Sequence, residues 1–376
     1  PQGMAPWEYT IAELLSDAGY STALYGKWHL GDVDGRLPND QGYDEWWGIK
    51  ESAFEASYTQ TAQFDPKVFP EPYIWAGKKG KPSTKVKPFD ERARAQLDRD
   101  VLNRAVNYIQ SNDTKGKPFF LYVGFTHIHP PFIPHPDFAG KSKSGVYADI
   151  QLEVDYNIGT ILDAIDKAGI AKNTIVILTG DNGAEEESHS HSVRGAGGSN
   201  GPWRGGLSTA YEGGLRTVGI VRWPGKVLAG NVSDEIFSSL DWYRTIASII
   251  GESGRVPIDR PIDSVDQSDL LLGKKKNSNR EYVVTYVGDK VFAVKWRSMK
   301  VHFLTADGTF SPIVEKTFPE VYDVKNDPDE KRELWANEGY AHAWVMKPVT
   351  EILAELSTSM QKYPNIKPGQ DFNGYK

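Results

Sequence analysis

Thr174-Ile175-Val176-Ile177-Leu178-Thr179-Gly180-Asp181-Asn182-Gly183 sets an unbroken apolar run directly before a polar turn. A β-branched run of this kind reads as a strand buried on both faces, as in a parallel sheet covered by helices. Just upstream, Ile150, Val154, Ile158, Ile161, Leu162 and Ile165 recur at helical spacing, and Gly169 reads as the stop. The same plan occurs earlier. Leu97, Val101, Ala105, Tyr108 and Ile109 mark a helix, and Lys117-Pro118 introduces a buried strand over Phe119–Val123. Nearer the start, Pro6 suits a first helical turn, Ile11, Leu14, Leu15 and Ala18 form one apolar face, Gly19 closes it, and a short strand follows at Thr22–Tyr25. Downstream, a strand over Val218–Arg222 precedes a helix around Ile236–Ile250. Repeated helix–strand alternation implies right-handed crossovers and a mostly parallel α/β sheet flanked by helices. Residues 49–90, rich in Pro and Lys with scattered aromatics, read as an irregular excursion.

The pattern changes near residue 274. Lys274-Lys275-Lys276-Asn277-Ser278-Asn279 reads as a polar linker. Tyr282–Val287, Val291–Trp296 and Met299–Leu304 follow, separated by Gly288-Asp289 and Arg297-Ser298, as short strands of an antiparallel meander. A last helix over about Ala343–Gln361 would pack on them. The expected organisation is a larger α/β domain over residues 1–275 and a smaller α+β subdomain over 276–376.

Composition narrows the function classes. The chain has 376 residues, 39 % hydrophobic and 25 % charged, which excludes a disordered or collagen-like polymer. A net charge of −7 argues against a nucleic-acid-binding domain, which carries a basic face. It leaves room for a locally basic pocket that receives an anion. No segment approaches the roughly 18 apolar residues of a membrane span. With no cysteine, the chain has no disulfide, thiolate metal site or Cys nucleophile.

Ligands of parallel α/β sheets collect at the carboxyl ends of the strands. Three strand ends here carry polar groups: Lys27 with His29, His127 with His129, and Asp181 with Asn182. Each has a plain reading alone, as a turn, a solvated strand end or a capped imidazole. Together they make a coherent chemistry. Asp181 and Asn182 offer hard oxygen donors suited to calcium or magnesium rather than zinc, although two ligands are too few for such a site. Lys27, His29 and His129 offer fixed or titratable positive charge. That combination suits a tetrahedral oxyanion ester, where charge must be neutralised and a leaving group protonated.

The stretch Gly19-Tyr20-Ser21-Thr22-Ala23-Leu24-Tyr25-Gly26-Lys27-Trp28-His29-Leu30-Gly31 resembles a signature of the type I sulfatases, G-Y-x-T-x-x-x-G-K-W-H-L-G. The resemblance continues through Gly42-Tyr43-Asp44, Phe119–Pro131, Leu178–Gly183, Pro202-Trp203-Arg204-Gly205, Glu212-Gly213-Gly214 and Arg222-Trp223-Pro224-Gly225. Ile262–Leu272 and Ala293–Phe303 look like bacterial arylsulfatases, so it covers nearly the whole chain. It implies an alkaline-phosphatase-like fold and hydrolysis of small-molecule or carbohydrate sulfate esters at one divalent cation, calcium or possibly magnesium. It implies that Asp181 and Asn182 are metal ligands and that Lys27 holds the nucleophile and a sulfate oxygen. His29 would deprotonate the covalent intermediate, and His129 would serve the leaving-group oxygen. By position alone, just ahead of Leu207, Trp203 and Arg204 are candidates to line the substrate pocket. A periplasmic or secreted location follows by the same analogy.

Two departures stand out. The formylglycine nucleophile of the family arises from Cys or Ser in C/S-x-P-S-R, upstream of the Gly-Tyr-x-Thr signature. That motif, its arginine and an adjacent Asp pair do not occur in residues 1–376. With the start at Pro1, this leads us to expect a longer native protein and an inactive fragment. Leu207 stands where relatives often carry a lysine, which leaves His129 as the expected leaving-group acid. A phosphodiesterase or phosphonate monoester hydrolase, or a non-catalytic binder of sulfated ligands, stays open as an alternative. His189 and His191, Trp46-Trp47 and Lys274–Lys276 read more simply as solvated loop, core packing and linker.

Overall fold

The computed structural model describes residues 3–112, 116–185 and 197–366. The chain divides into two compact units: residues 1–174 with 254–260 and 366–376, and residues 175–253 with 261–365. His189 and His191 lie outside the described residues.

The first unit is built on a five-stranded sheet of β1 (Ser21–Lys27), β2 (Glu45–Ile49), β3 (Tyr73–Lys78), β4 (Thr84–Pro88) and β5 (Phe119–Gly124), in the order β4-β3-β2-β1-β5. Strand β1 lies between β2 and β5, parallel to both. Its inner residues Thr22–Gly26 are all buried, as a central parallel strand demands. The alternation reads correctly, with helix α1 (Ile11–Asp17) before β1 and α2 (Glu91–Asn112) before β5. A capping box starts α1: Thr10 accepts from the Glu13 amide and Glu13 accepts from the Thr10 amide. Helix α3 (Val146–Lys167) follows β5, and Gly169 has φ +72° just beyond it. The core joins Ala23, Tyr25, Trp47 and Ile49 of the sheet to Leu97, Val101 and Ala105 of α2. Trp46 and Trp47 are both core residues.

The excursion expected over residues 49–90 contains ordered structure. A 3-10 helix spans Ala53–Gln60, and β3 (Tyr73–Lys78) pairs antiparallel with β2 and with β4 (Thr84–Pro88). The sheet is therefore mixed. Polar β4 forms its edge, where lysines suit a strand with one unpaired side.

One row of residues shapes the carboxyl end of the sheet. Gly48, Gly26 and Gly124 stand side by side across β2, β1 and β5. A Cβ on Gly26 would lie 1.9 Å from the Gly124 carbonyl oxygen, and one on Gly48 1.8 Å from that of Gly26. Only glycine fits these positions, and Lys27 follows directly.

In the second unit, β6 (Val176–Thr179) pairs antiparallel with β7 (Gly219–Arg222) as a two-stranded ribbon. Val176, Ile177 and Leu178 are half-buried, where the sequence suggested full burial on two faces; within this ribbon β6 has a single paired neighbour. Short helices α4 (Glu212–Leu215), α5 (Trp242–Ile249) and α6 (Ser268–Leu271) lead to the meander β8 (Tyr282–Val287), β9 (Lys290–Trp296), β10 (Met299–Thr305) and β11 (Val314–Asp323). These four strands form an antiparallel sheet in sequence order. Helix α7 (Leu334–Glu338) and the amphipathic α8 (Met346–Lys362) complete it, with Val349 and Ile352 packing on Val294, Val301 and Val321.

Candidate active site

In the first unit the site grows from the end of β1. Past Lys27 the chain stays attached to the sheet: the Trp28 amide donates to the Ile49 carbonyl (3.0 Å) and the His29 amide to that of Lys50 (2.8 Å). The Trp28 indole is buried and donates to the Arg36 carbonyl (2.9 Å). His29 takes a left-handed backbone conformation, φ +56°, that a side chain with a Cβ adopts at some cost. Its ring is thereby held at the strand end, about half exposed, with Nε2 3.6 Å from Glu51 Oε2.

Residues 50–55 lie beside both histidines. Glu51 faces His29, and the Phe54 ring meets the His129 ring edge-on, centroids 4.9 Å apart. Burial and then the charge of Asp32 push the Glu51 carboxyl up, while Lys27 and Lys50 pull it down, so Lys27 shares this electrostatic neighbourhood. Burial first, and Glu51 second, push Glu55 up to about 7. Lys50 Nζ donates to the Asp32 carbonyl (2.8 Å) and lies 3.7 Å above the Trp75 ring. The segment after β2 thus meets His29 through Glu51 and His129 through Phe54, and Lys27 acts on the Glu51 carboxyl.

His129 sits in the turn after β5. Its amide donates to the Thr126 carbonyl (3.1 Å), and its ring Nδ1 lies 2.6 Å from the Pro130 carbonyl oxygen. A carbonyl only accepts, so Nδ1 carries a hydrogen.

Beneath this turn lies a buried polar cluster. Arg94 and Asp98, four residues apart on α2, are fully or almost fully buried. Arg94 Nη1 donates to Thr126 Oγ1 (2.7 Å), and Nη2 to the carbonyls of Thr126 (3.4 Å) and His129 (3.1 Å) and to His127 Nδ1 (2.8 Å). Asp98 accepts from the Thr126 amide (2.9 Å), the Thr126 hydroxyl (2.7 Å) and the His127 amide (2.8 Å). An arginine only donates, so His127 Nδ1 is the acceptor and Nε2–H points to Glu153, 3.6 Å away. Burial lowers His127 to about 4 and raises Glu153 to about 7. Neither Arg94 nor Asp98 belongs to a strand-end motif. The available signal was two opposite charges beside Leu97 and Val101 on the apolar stripe of a helix.

In the second unit Asp181 and Asn182 follow β6 directly. Asp181 is exposed and its Oδ1 accepts from the Asn182 amide (3.1 Å). The Asn182 side-chain nitrogen donates to the Gly183 carbonyl (2.8 Å), which leaves its oxygen as the ligand-capable atom. Both atoms are hard donors and fit calcium or magnesium as part of a ligand set. Among the described residues no cluster of three His, Asp or Glu side chains completes one. Leu207 is half-buried, with its amide on the Ala184 carbonyl (3.3 Å).

Arg204 is tied into a charged cluster of the same unit. Its guanidinium stacks 4.0 Å from the Tyr211 ring centroid, donates to the Glu330 carbonyl (3.0 Å) and pairs with Asp307 (3.4 Å). Beside it, buried Glu212 pairs with Lys295 (2.7 Å), Arg216 (2.7 Å) and Lys300 (3.0 Å). Burial alone would raise Glu212, but Lys300 and Lys295 outweigh it and hold the carboxyl well below the usual range. His302 Nε2 completes the cluster on Glu330 (2.6 Å). The Glu-Gly-Gly turn is in this way bonded to the meander.

Comparison with known proteins agrees with this architecture. A model of the sulfatase family matches residues 2–252, and one of the C-terminal region of aryl-sulfatase matches residues 278–372. The steryl-sulfatase of Rattus norvegicus is 27 % identical over 96 % of this chain and 76 % of its own length. The N-acetylgalactosamine-6-sulfatase of Canis lupus familiaris is 33 % identical over 81 % of this chain. That alignment spans 56 % of the canine protein. Among solved structures, the PsFucS1 sulfatase from Pseudoalteromonas sp. superposes with a TM-score of 0.88 at 28 % identity, over 96 % of this chain and 75 % of that one. The fold and the matched families define a class, the sulfuric ester hydrolases of alkaline-phosphatase-like architecture. This chain belongs to the sulfatase family.

Proposed function

We propose that the native protein hydrolyses sulfate esters of a small molecule or carbohydrate, and that Lys27, His29 and His129 serve the ester's two ends. The observation that carries this reading is the cluster at the carboxyl end of β1 and β5. There Glu51 lies beside His29 and feels the charge of Lys27, and Phe54 lies against His129. The formylglycine of the family supplies the nucleophile, and we place it in a segment outside residues 1–376. Asp181 and Asn182 would hold part of the ligand set of a calcium or magnesium ion, which would supply Lewis-acid positive charge.

Lys27 contributes a fixed ammonium that neutralises a sulfate oxygen, a charge demand that grows toward the transition state. As the imidazolium, with Nδ1–H held on the Pro130 carbonyl, His129 hands its Nε2 proton to the departing alcohol oxygen and is left as the neutral Nδ1–H ring. His29, with Glu51 beside it to stabilise the imidazolium, takes the proton whose removal releases sulfate. With Leu207 at the position where relatives often carry lysine, His129 bears the leaving-group protonation alone.

The test is release of inorganic sulfate from 4-nitrophenyl sulfate by the native full-length polypeptide. Turnover that is lost with a chelator and restored by calcium or magnesium is expected. Turnover indifferent to metal removal contradicts the cation assignment, and an absence of sulfate release contradicts the proposal.

A further inference from the structure

We propose that Arg94 and Asp98 are positioning residues for the leaving-group acid, a clamp that sets where His129 delivers its proton. The inference rests on the reading of His129 given above and adds two residues from a helix remote in sequence from every strand-end motif.

The bonding pattern supports it. Four hydrogen bonds run from the Arg94 guanidinium, and every acceptor lies within residues 126–129. Asp98 accepts three more, again only from Thr126 and His127. Thr126 Oγ1 links the two, accepting from Arg94 and donating to Asp98. A buried cation that served only the core would be expected to bond its own helix or several elements. Here a fork and a carboxylate grip one four-residue turn from below. The last of their partners is the carbonyl of His129 itself.

The tautomers follow from the same contacts. Arg94 requires His127 Nδ1 to accept, so His127 is a neutral strut and not a second acid. Pro130 requires His129 Nδ1 to donate, so Nε2 is its working nitrogen. The two histidines of the turn are thus sorted into one structural and one reactive ring. Catalytic geometry is sensitive to displacements of an ångström, and loosening this turn would move Nε2 without touching the sulfate-binding groups.

The experiment compares wild type with Arg94→Lys and with the milder Thr126→Val in the native full-length protein, using two sulfate esters. One has a good leaving group, 4-nitrophenolate. The other is a simple alkyl sulfate whose alkoxide must be protonated as it departs. We expect kcat on the alkyl ester to fall at least 10-fold, KM to stay within about 3-fold, and 4-nitrophenyl sulfate turnover to change less than 3-fold. In a His129→Ala background, Arg94→Lys should add less than 2-fold to the loss on the alkyl ester. An equal loss on both esters, no loss on either, or full additivity with His129→Ala overturns the assignment. If Arg94→Lys does not fold, as judged by its melting transition, Thr126→Val carries the same comparison. Failure of wild type to turn over either ester would instead count against the sulfatase reading.

Discussion

His129 and His127 stand two residues apart, yet their surroundings give them opposite work. His127 is 8 % exposed, and burial lowers it to about 4, so it stays neutral through the working pH range. His129 keeps a half-buried ring with Nδ1 on a backbone carbonyl and Phe54 against one edge. The expected consequence is a leaving-group dependence. His129→Ala should lower kcat by about 10²–10⁴-fold for alkyl sulfates and far less for 4-nitrophenyl sulfate. A variant that keeps full kcat on the poor leaving group would remove His129 from the acid role. His29 illustrates a different device, in which a left-handed backbone turns the ring at the strand end toward Glu51. That is the kind of local strain found where geometry serves chemistry.

At the scale of elements, helix α3 carries a measurable cost. Glu153 is 1 % exposed, its Oε2 accepts from the His135 amide (2.8 Å), and its Oε1 has no hydrogen-bond partner. Its carboxyl is raised from an ordinary 4.5 to about 7, so the folded protein retains a proton that the unfolded chain releases. Stability from this group therefore falls as pH rises from about 4.5 through about 7. His127 works the other way: its folded value of about 4 lies below the ordinary 6.5, so stability is lost as pH falls through that window. Glu153→Gln removes the first contribution and keeps an acceptor for His135. Its stability relative to wild type should improve between pH 5 and pH 8 by about 2–3 kcal/mol, read as several degrees in melting temperature. A difference that stays constant across that range would contradict the buried-carboxylate account.

For the whole molecule, the parallel centre of the first sheet was legible because β1 is buried along Thr22–Gly26; β5, the end strand of this sheet, is only half-buried with Tyr122 exposed, where the sequence suggested a buried strand. The meander of the second unit was legible because Gly288-Asp289 and Arg297-Ser298 sit at its tight turns, although β11 was not foreseen. The β3–β4 hairpin was hidden by its chemistry. It is an edge ribbon whose aromatics are covered by lysines, with Lys85 Nζ 4.2 Å from the Tyr73 ring, so its composition mimics a solvated loop. Lys27, His29 and His129 could be named from their strand ends. Arg94 and Asp98 could not, because only the packing of α2 under the 126–129 turn gives their charges a purpose. Glu212 and Glu330 belong to the same lesson in the second unit, where buried carboxylates are matched by Lys300 and His302 from β10.

One measurement tests the central claim most directly. The native full-length protein, supplied with calcium, is given an aryl sulfate and the matched aryl phosphodiester, and initial rates of bond cleavage are compared. Both esters carry one negative charge, so the comparison reads the three terminal oxygens of the sulfate against the second ester arm of the diester; for a member of the sulfatase family the sulfate should be cleaved at least 10-fold faster. Faster cleavage of the diester would make the protein a phosphodiesterase of the same fold. Tight binding of the sulfate ester without cleavage would contradict the catalytic account altogether.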